Sequence, residues 1–153
     1  MDFQIIEVEH GSDRYQEEVA LRYRVLREPL GLTFTSEQLA SEVADTHLAI
    51  LIGGKMCAVL LLTPRNGGDI QMRQVAVAPE LQGTGLGRAL VNASEEKAIT
   101  LGYRRMVLHA RKSAVGFYER LGYATHGDEF EEVGIPHLDM DRKLTLDSGN
   151  MVS

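Results

Sequence analysis

The chain has 153 residues, of which 44% are hydrophobic and 25% are charged, the composition of an ordinary globular domain. Its formal net charge of −6 argues against a nucleic-acid partner, because phosphate backbones are bound by basic surfaces. We expect one domain over residues 1–153, with a frayed tail at residues 147–153.

The N-terminal residues Met1–Gln4 show no basic segment followed by an apolar run, so no signal peptide is predicted. No apolar stretch approaches the roughly 20 residues that span a bilayer. The lone cysteine, Cys57, lies in an apolar stretch and cannot form an intrachain disulfide. These features predict a cytoplasmic protein without a membrane partner.

Strand and helix patterns alternate along the first half of the chain. We predict a strand at Phe3–Val8, then a helix from about Asp13 to Arg27 that Pro29 closes. Its apolar residues at helical spacing are Tyr15, Val19, Tyr23 and Leu26. Ser36 is placed to cap a short second helix. Two apolar runs joined by a glycine turn predict an antiparallel hairpin, Thr46–Ile52 and Met56–Leu62.

The second half shows the same alternation. Its predicted elements are a strand at Ile70–Ala78, a helix at Gly85–Leu101, a strand at Arg104–Ala110, a helix at Ser113–Leu121 and strands near Tyr123–Glu129 and His137–Leu144. This order predicts an α/β (α+β) domain around a mixed, mostly antiparallel sheet.

A glycine-rich turn follows the strand that ends at Pro79 and opens the long helix. Gly83, Gly85 and Gly87 let the backbone approach an anion and adopt positive φ. The first N–H groups of the helix are free, its dipole favours negative charge, and Arg88 adds a cation. The segment therefore predicts a cradle for phosphate or pyrophosphate.

Two other phosphate-binding motifs fit this turn less well. A Walker loop requires Lys and then Ser or Thr after its last glycine, where this chain has Arg88–Ala89. A dinucleotide fingerprint is spaced G-x-G-x-x-G within a βαβ unit, whereas this turn reads G-x-G-x-G after antiparallel elements. A nucleotide-binding protein is therefore disfavoured, and a plain glycine turn is the alternative for the glycines alone.

Two segments resemble GNAT N-acetyltransferases. Gln82–Gly87 resembles the family's Q/R-x-x-G-x-G/A motif, and Ala114–Tyr123 resembles its A-x-x-F-Y-E-K-x-G-F/Y segment. Gly134–His137 and Met140 further resemble the ElaA-like branch. The resemblance implies the GNAT fold, with a mixed sheet of about seven strands, about four flanking helices and a splay between the fourth and fifth strands.

The resemblance also implies acetyl-CoA as the co-substrate, without a metal. Backbone groups of Val75 and Val77 would pair with the pantetheine arm, the amides after Gln82 would hold the pyrophosphate, and Gln82 would brace the loop. The implied coenzyme-binding residues are Val75, Ala76, Val77, Gln82, Gly83, Thr84, Gly85, Leu86, Gly87, Arg88, Ser113, Phe117 and Tyr118. Ser113 stands where many relatives carry an asparagine.

Tyr118 occupies the position of the tyrosine that protonates the departing CoA thiolate in the family. The glutamate that serves many relatives as general base is replaced here by Gln71, which cannot accept a proton. His109 and His137 are the substitutes, since an unperturbed histidine titrates near neutral pH. His109 is expected near the splay, and His137 in a loop before the last strand.

The predicted reaction is direct acyl transfer to an amine of a small molecule or peptide. Arg22, Arg24 and Arg73 could recognise an anionic acceptor, although Arg22 and Arg24 could also simply face solvent. The acidic residues Asp45, Glu129, Glu131 and Glu132 could bind a cationic one. A ping-pong mechanism through Cys57 is disfavoured by its place on a distant strand. The alternative is a non-catalytic CoA-binding regulatory module on the same fold, and a homodimer is compatible with either function.

Overall fold

A computed structural model describes residues 2–145 and shows seven strands and four α-helices in that part of the chain. The strands are β1 (Gln4–Val8), β2 (Thr46–Ile52), β3 (Lys55–Pro64), β4 (Asp69–Val77), β5 (Arg105–Arg111), β6 (Ala124–Glu132) and β7 (Ile135–Lys143). The helices are α1 (Asp13–Arg22), α2 (Ser36–Ala40), α3 (Leu86–Thr100) and α4 (Val115–Arg120). The predicted frayed tail at residues 147–153 lies outside the described residues.

The seven strands form one sheet in the order β1-β2-β3-β4-β5-β7-β6. Strands β4 and β5 are parallel, while β1–β2, β2–β3, β5–β7 and β6–β7 are antiparallel. The mixed, mostly antiparallel sheet of about seven strands is thereby confirmed. The β4–β5 ladder covers Asp69–Met72 and Arg105–Leu108, and within residues 2–145 it extends no further. This early end of the ladder is the divergence expected for the fourth and fifth strands.

The chain divides into two compact units. The first comprises Met1–Thr63 and Arg73–Ser94, and the second comprises Pro64–Met72 and Glu95–Ser153. In the first unit β2 and β3 are almost entirely buried, which explains why they read as continuous apolar runs rather than alternating ones. The core of this unit joins α1, β2, β3 and the end of β4 through Tyr15, Leu21, Ala49, Val59 and Ala76.

The first helix is shorter than predicted. α1 ends at Arg22, and the chain continues through a π-helical turn, Tyr23–Arg27, and a 3₁₀ turn, Glu28–Leu30. The predicted apolar face is correct at Tyr15, which is buried, but Tyr23 is exposed. Gly31 then adopts a φ of 70°, which ends the helical stretch.

The N-cap of the second helix lies one residue earlier than predicted. Thr35 is the N-cap, because its hydroxyl accepts from the Gln38 amide at 3.1 Å. The Gln38 side chain in turn accepts from the Thr35 amide at 2.8 Å, which completes a capping box. Ser36 is therefore the first helical residue rather than the cap.

The second unit contains a β6–β7 hairpin with a tight turn at Val133 and Gly134. Both residues adopt left-handed backbone, with φ of 48° and 74°, as a two-residue hairpin requires. The turn ends early enough for β7 to begin at Ile135, so His137 lies inside the strand opposite Phe130 and Arg111. The loop position predicted for His137 was wrong.

Candidate functional site

The glycine-rich turn is exposed but held at both ends. Leu86 is buried and anchors the first residue of α3. On the other side, Gln82 Nε2 donates to the Val77 carbonyl at 3.1 Å, and Thr84 Oγ1 donates to the Leu81 carbonyl at 2.5 Å. Gln82 thus braces the loop against the end of β4, as the resemblance implied.

The turn presents a row of free backbone donors. The first helical hydrogen bond of α3 runs from the Ala89 amide to the Gly85 carbonyl at 3.0 Å. Within the described part of the chain, the six amides of Gly83–Arg88 have no protein acceptor. Gly83 and Gly85 have φ of 81° and 92°, and a Cβ added to either would meet no atom within 4 Å. These glycines are therefore required by the backbone conformation and not by crowding.

Electrostatics at this turn favour an anion. Six unpaired N–H groups lie at the N-terminus of a 15-residue helix, where the helix dipole is positive. The exposed Arg88 side chain adds a cation that pairs with no described residue. Together these groups can bind a pyrophosphate in spite of the acidic net charge of the chain.

Strand β4 carries an unusual backbone conformation just before Val75–Val77. Gln74 has a φ of 55°, the left-handed region that a non-glycine residue occupies at a cost of about 1–3 kcal/mol. Past this residue, the Ala78 amide donates to the Cys57 carbonyl at 2.8 Å, so β4 is again held to β3. The Cys57 thiol is buried and donates to the Lys55 carbonyl at 3.3 Å, an environment that supports no nucleophilic role.

Beside this strand, the first unit contains a cluster of charged side chains that solvent does not reach. We call Tyr15, Glu18, Arg22, Glu42 and His47 the buried ionic cluster; none of the five is more than 7% exposed. Arg22 Nη1 donates to Glu18 Oε2 and Glu42 Oε1, each at 2.8 Å, and Nη2 donates to Glu42 Oε2. The Tyr15 hydroxyl donates to Glu42 Oε1 at 2.8 Å.

The Nε–H of the Arg22 guanidinium donates to a residue outside the cluster. Arg22 Nε donates to Gln74 Oε1 at 3.4 Å, and the guanidinium carbon lies 4.8 Å from the centroid of the Phe34 ring. A buried donor without a partner costs about 1–3 kcal/mol. The free energy lost if Arg22 Nε had no partner is similar to the cost of the left-handed backbone at Gln74. This one hydrogen bond can therefore influence the conformation of β4.

Both ring nitrogens of His47 face hydrogen-bond acceptors. Nδ1 lies 2.8 Å from Glu18 Oε2, and Nε2 lies 2.9 Å from the Glu42 carbonyl. Burial opposes the charged ring, but the hydrogen bonds to Glu18 and to the Glu42 carbonyl outweigh it and raise the pKa of His47. With two carboxylates and one guanidinium, the protonated ring makes the cluster formally neutral.

The cluster also contains three possible metal ligands, but it does not fit a metal ion. Ligand atoms of Glu18, Glu42 and His47 lie within 4.8 Å of one another. The Arg22 guanidinium already binds both carboxylates, and both nitrogens of His47 face acceptors. A metal ion would have to displace the buried Arg22 guanidinium, which donates three hydrogen bonds to these two carboxylates. We therefore conclude that Arg22 is the cation that the carboxylates bind.

All three predicted anion-recognising arginines pair with carboxylates within the first unit. Arg22 is fully buried and does not face solvent, whereas Arg24 is half-exposed and bonds to Glu80 at 2.6 Å. Arg73 donates to the Thr63 hydroxyl at 3.2 Å and lies 3.7 Å from the buried Asp45 carboxylate. Burial raises the pKa of Asp45, against the smaller opposing effects of Thr63 and Arg73.

In the second unit, Tyr118 is buried on α4 without a partner for its hydroxyl among the described residues. Its ring packs edge-on against Phe117 and Tyr123, with centroids 5.0 and 5.8 Å away. Burial raises the pKa of Tyr118 to about 12. Tyr123 is different, because its hydroxyl donates to Glu95 Oε2 at 2.7 Å. Tyr123 is thus a satisfied core tyrosine, and Tyr118 keeps a free donor.

The residues before α4 are less informative. Ser113 lies in a short 3₁₀ turn, Lys112–Ala114, and is exposed. Its hydroxyl has no partner in the described chain, so it is free to donate to a ligand. Its role in binding pantetheine stays a prediction.

The two candidate bases have different hydrogen-bonding states. His137 Nδ1 donates to the Ile135 carbonyl at 2.7 Å, while Nε2 makes no hydrogen bond with the described residues and lies 3.7 Å from Glu132 Oε2. His109 instead has Nδ1 2.9 Å from Glu132 Oε1 and Nε2 3.2 Å from Asp139 Oδ1. Because both of its nitrogens face carboxylates, His109 offers no free lone pair in this arrangement.

Gln71 gives no replacement for the missing glutamate. Its Oε1 accepts from Arg65 Nε at 2.8 Å, and an amide has no titratable proton near neutral pH. Among the two histidines, only His137 presents an accepting nitrogen.

The sequence did not identify the buried ionic cluster. Glu18 and Arg22 are four residues apart, a spacing that usually marks a surface ion pair. The signal that could have revealed them is that Tyr15 lies on the same helical face, three and seven residues earlier. A charged pair on the face that carries the apolar residues must be buried or must interrupt the core.

Comparison with known proteins identifies the family. A model described as an acetyltransferase (GNAT) domain matches residues 17–144. Among curated relatives, the uncharacterized protein YyaT of Bacillus subtilis is 32% identical over 79 residues, which are 52% of this chain and 53% of that protein. YjcF, an uncharacterized N-acetyltransferase of the same organism, is 32% identical over 71 residues, 46% of this chain and 51% of that protein. The chain spans about half the length of the curated relatives it matches.

Solved structures agree on the fold. A provisionally assigned N-acetyltransferase from Lactobacillus plantarum has a TM-score of 0.82 and 25% identity, and the match covers 94% of this chain and 99% of that one. Escherichia coli ElaA has a TM-score of 0.77 at 17% identity, covering 92% and 99%. An aminoglycoside 6′-N-acetyltransferase complexed with coenzyme A has a TM-score of 0.78 at 15% identity, covering 93% and 97%.

The last two similarities concern the fold alone. No helix within residues 2–145 combines the length and apolar character needed to cross a membrane. The glycine-rich turn, the strand order and the family match over residues 17–144 lead to one conclusion. This chain belongs to the GNAT acetyltransferase family.

Proposed function

We propose that this chain is an acyl-CoA-dependent N-acyltransferase that transfers an acetyl group from acetyl-CoA directly to an amine. The observation that carries the proposal is the row of six unpartnered amides at Gly83–Arg88, with Arg88 beside them. Such a row at a helix N-terminus binds the pyrophosphate of a coenzyme. The solved aminoglycoside 6′-N-acetyltransferase that shares the fold is itself complexed with coenzyme A.

In this reaction the lone pair of the amine attacks the thioester carbonyl carbon. A C–N bond forms, the C–S bond breaks, and coenzyme A leaves as a thiolate that must be stabilised or protonated. A tyrosine that remains neutral at pH 7 can donate its hydroxyl hydrogen to that thiolate. Tyr118 suits this role, because its hydroxyl has no partner among the described residues and burial keeps it protonated.

The amine must lose a proton before or during its attack. His137 supports this role better than His109, because its Nδ1–H is fixed on the Ile135 carbonyl and its Nε2 can accept a proton. The nearby Glu132 carboxylate would stabilise the imidazolium that forms. We therefore propose His137 as the general base and treat His109 as its comparison.

The proposal covers the acceptor only as a class, an amine of a small molecule or peptide. The acidic net charge of the chain favours a cationic acceptor. Strand β6 presents Glu131 at an exposed position, which suits recognition of a positive charge, whereas Glu129 already pairs with Lys112 at 3.0 Å.

The test has two steps. Titration calorimetry with coenzyme A should show binding to the wild type, and incubation with acetyl-CoA and a panel of amines should release free thiol. Release that depends on the amine supports transfer. If coenzyme A does not bind, the proposed site at Gly83–Arg88 is wrong.

A second candidate is a CoA-binding regulatory module without catalysis. The observation that favours it is Gln71, which replaces a glutamate base and is engaged by Arg65. This module would bind coenzyme A but release no thiol with any amine. Amine-dependent release of thiol therefore separates the enzyme from this module.

A further inference from the structure

Arg22 is held so firmly that its Nε–H donor has a fixed direction. Three hydrogen bonds from its terminal nitrogens reach Glu18 and Glu42, and its guanidinium lies over the Phe34 ring. The side chain is fully buried, so no water competes for these bonds. Its Nε–H therefore acts as a rigid donor rather than as a mobile one.

That donor meets the residue with the strained backbone. Arg22 Nε donates to Oε1 of Gln74, a non-glycine residue of β4 with a φ of 55°. Strained conformations persist where the surroundings determine them, and an unpartnered buried Nε–H would be costly. The hydrogen bond thus satisfies Arg22 and opposes relaxation of Gln74 toward an extended strand.

The strained residue precedes the backbone proposed to bind pantetheine. Val75, Ala76 and Val77 follow Gln74 directly, and the Val77 carbonyl is where Gln82 braces the pyrophosphate turn. A change of φ at Gln74 would redirect each of these backbone groups. The conformation of one residue therefore sets the direction of the whole binding strand.

We propose that Arg22, anchored in the buried ionic cluster, is a positioning residue that tethers the Gln74 side chain and so fixes the left-handed backbone that aligns Val75–Val77 for coenzyme A. The inference rests on the proposed function, since it concerns the same cofactor. It adds a residue of α1 that would not touch the coenzyme itself.

The chain offers a matched control for the test. Gln71 lies three residues earlier on β4 and also accepts from an arginine Nε, that of Arg65 at 2.8 Å, but the pair is exposed. Gln71 does not have the positive φ that marks Gln74. Gln71→Ala therefore removes an equivalent bond without releasing a strained backbone.

The first measurement is the dissociation constant of coenzyme A by calorimetry. We expect Gln74→Ala to weaken binding by about tenfold or more, while Gln71→Ala stays within about twofold and both variants keep the wild-type circular dichroism. In an Arg22→Lys background, which keeps the charge but removes the Nε donor, Gln74→Ala should add little further loss. If Gln74→Ala binds coenzyme A as the wild type does, the inference is overturned and the proposed function stands.

A second measurement does not depend on the coenzyme or on the stability of Arg22→Lys. Hydrogen–deuterium exchange of apo protein should be faster in the peptide covering residues 73–78 of Gln74→Ala than in that of Gln71→Ala. Equal exchange in the two variants overturns the tether. If exchange is faster in Gln74→Ala but the wild type binds no coenzyme A, the tether is supported and the proposed function is rejected. The failure of the inference and the failure of the proposed function are therefore distinguishable.

Discussion

Replacing Glu42 by glutamine should destabilise the protein strongly although it removes no carbon or volume. Both carboxylate oxygens of Glu42 accept hydrogen bonds. Oε1 accepts from the Tyr15 hydroxyl and from Arg22 Nη1, and Oε2 accepts from Arg22 Nη2. A glutamine must point its NH₂ group at one of these donors, whichever way the amide is turned. It also leaves the buried Arg22 charge with one carboxylate, that of Glu18, instead of two.

The expected loss follows from the burial of the pair. Removing one partner of a buried ion pair costs about 3–5 kcal/mol, and for a chain of about this size each kcal/mol lowers the melting temperature by about 2–4 °C. Glu42→Gln should therefore lower the unfolding free energy by about 3–5 kcal/mol in urea and the melting temperature by roughly 6–20 °C.

The exposed ion pair of Glu17 on α1 provides a matched control. Glu17 pairs with Arg14 at 2.7 Å, but these side chains are 48% and 39% exposed. Glu17→Gln should cost about 0–1 kcal/mol, as exposed pairs do. Urea unfolding of both variants under the same conditions compares them directly. A difference of less than about 1 kcal/mol between the two would refute the assignment of a tightly coupled buried cluster.

The remaining predictions concern the site and its pH dependence. Gly85→Val should weaken coenzyme A binding by at least about tenfold in calorimetry while the fold persists, because its φ of 92° is unfavourable for valine but no atom crowds the position; unchanged affinity would place the site elsewhere. Tyr118→Phe should lower kcat by roughly 10²-fold with little change in acetyl-CoA affinity, whereas Tyr123→Phe should act on stability; an unchanged kcat would assign Tyr118 to the core. His137→Ala should lower kcat/KM strongly while His109→Ala does not, and an unchanged kcat/KM of His137→Ala would exclude His137 as base. Because its charge is stabilised in the fold, the pKa of His47 lies above its ordinary value of 6.5, so its contribution to stability is complete below about pH 6.5 and is lost as the pH rises through the folded-state pKa; His47→Gln should lack this fall in urea unfolding.

The sequence alone determined the features that depend on residues close together in the chain. The turn at Gln82–Arg88 could be read directly, because glycine placement and a helix N-terminus define an anion site within seven residues. The continuous apolar runs predicted the buried strands β2 and β3, and the order of elements predicted the mixed sheet. Local periodicity was enough to predict these strands, since strands and helices bury side chains that recur at a fixed spacing along the sequence.

The tertiary structure decided the features that depend on distant residues. Arg22 looked like a surface cation, and its burial is visible only once Glu42 and His47, 20 and 25 positions later, are brought against α1. The left-handed backbone at Gln74 has no local sequence signal, because glutamine does not favour it and its partner is 52 residues away. Likewise, the free nitrogen of His137 follows from a tight turn and a carbonyl that only the folded hairpin places beside Nδ1. A charged or strained residue is tolerated in such places because partners from other elements compensate its cost, and the local sequence does not contain those partners.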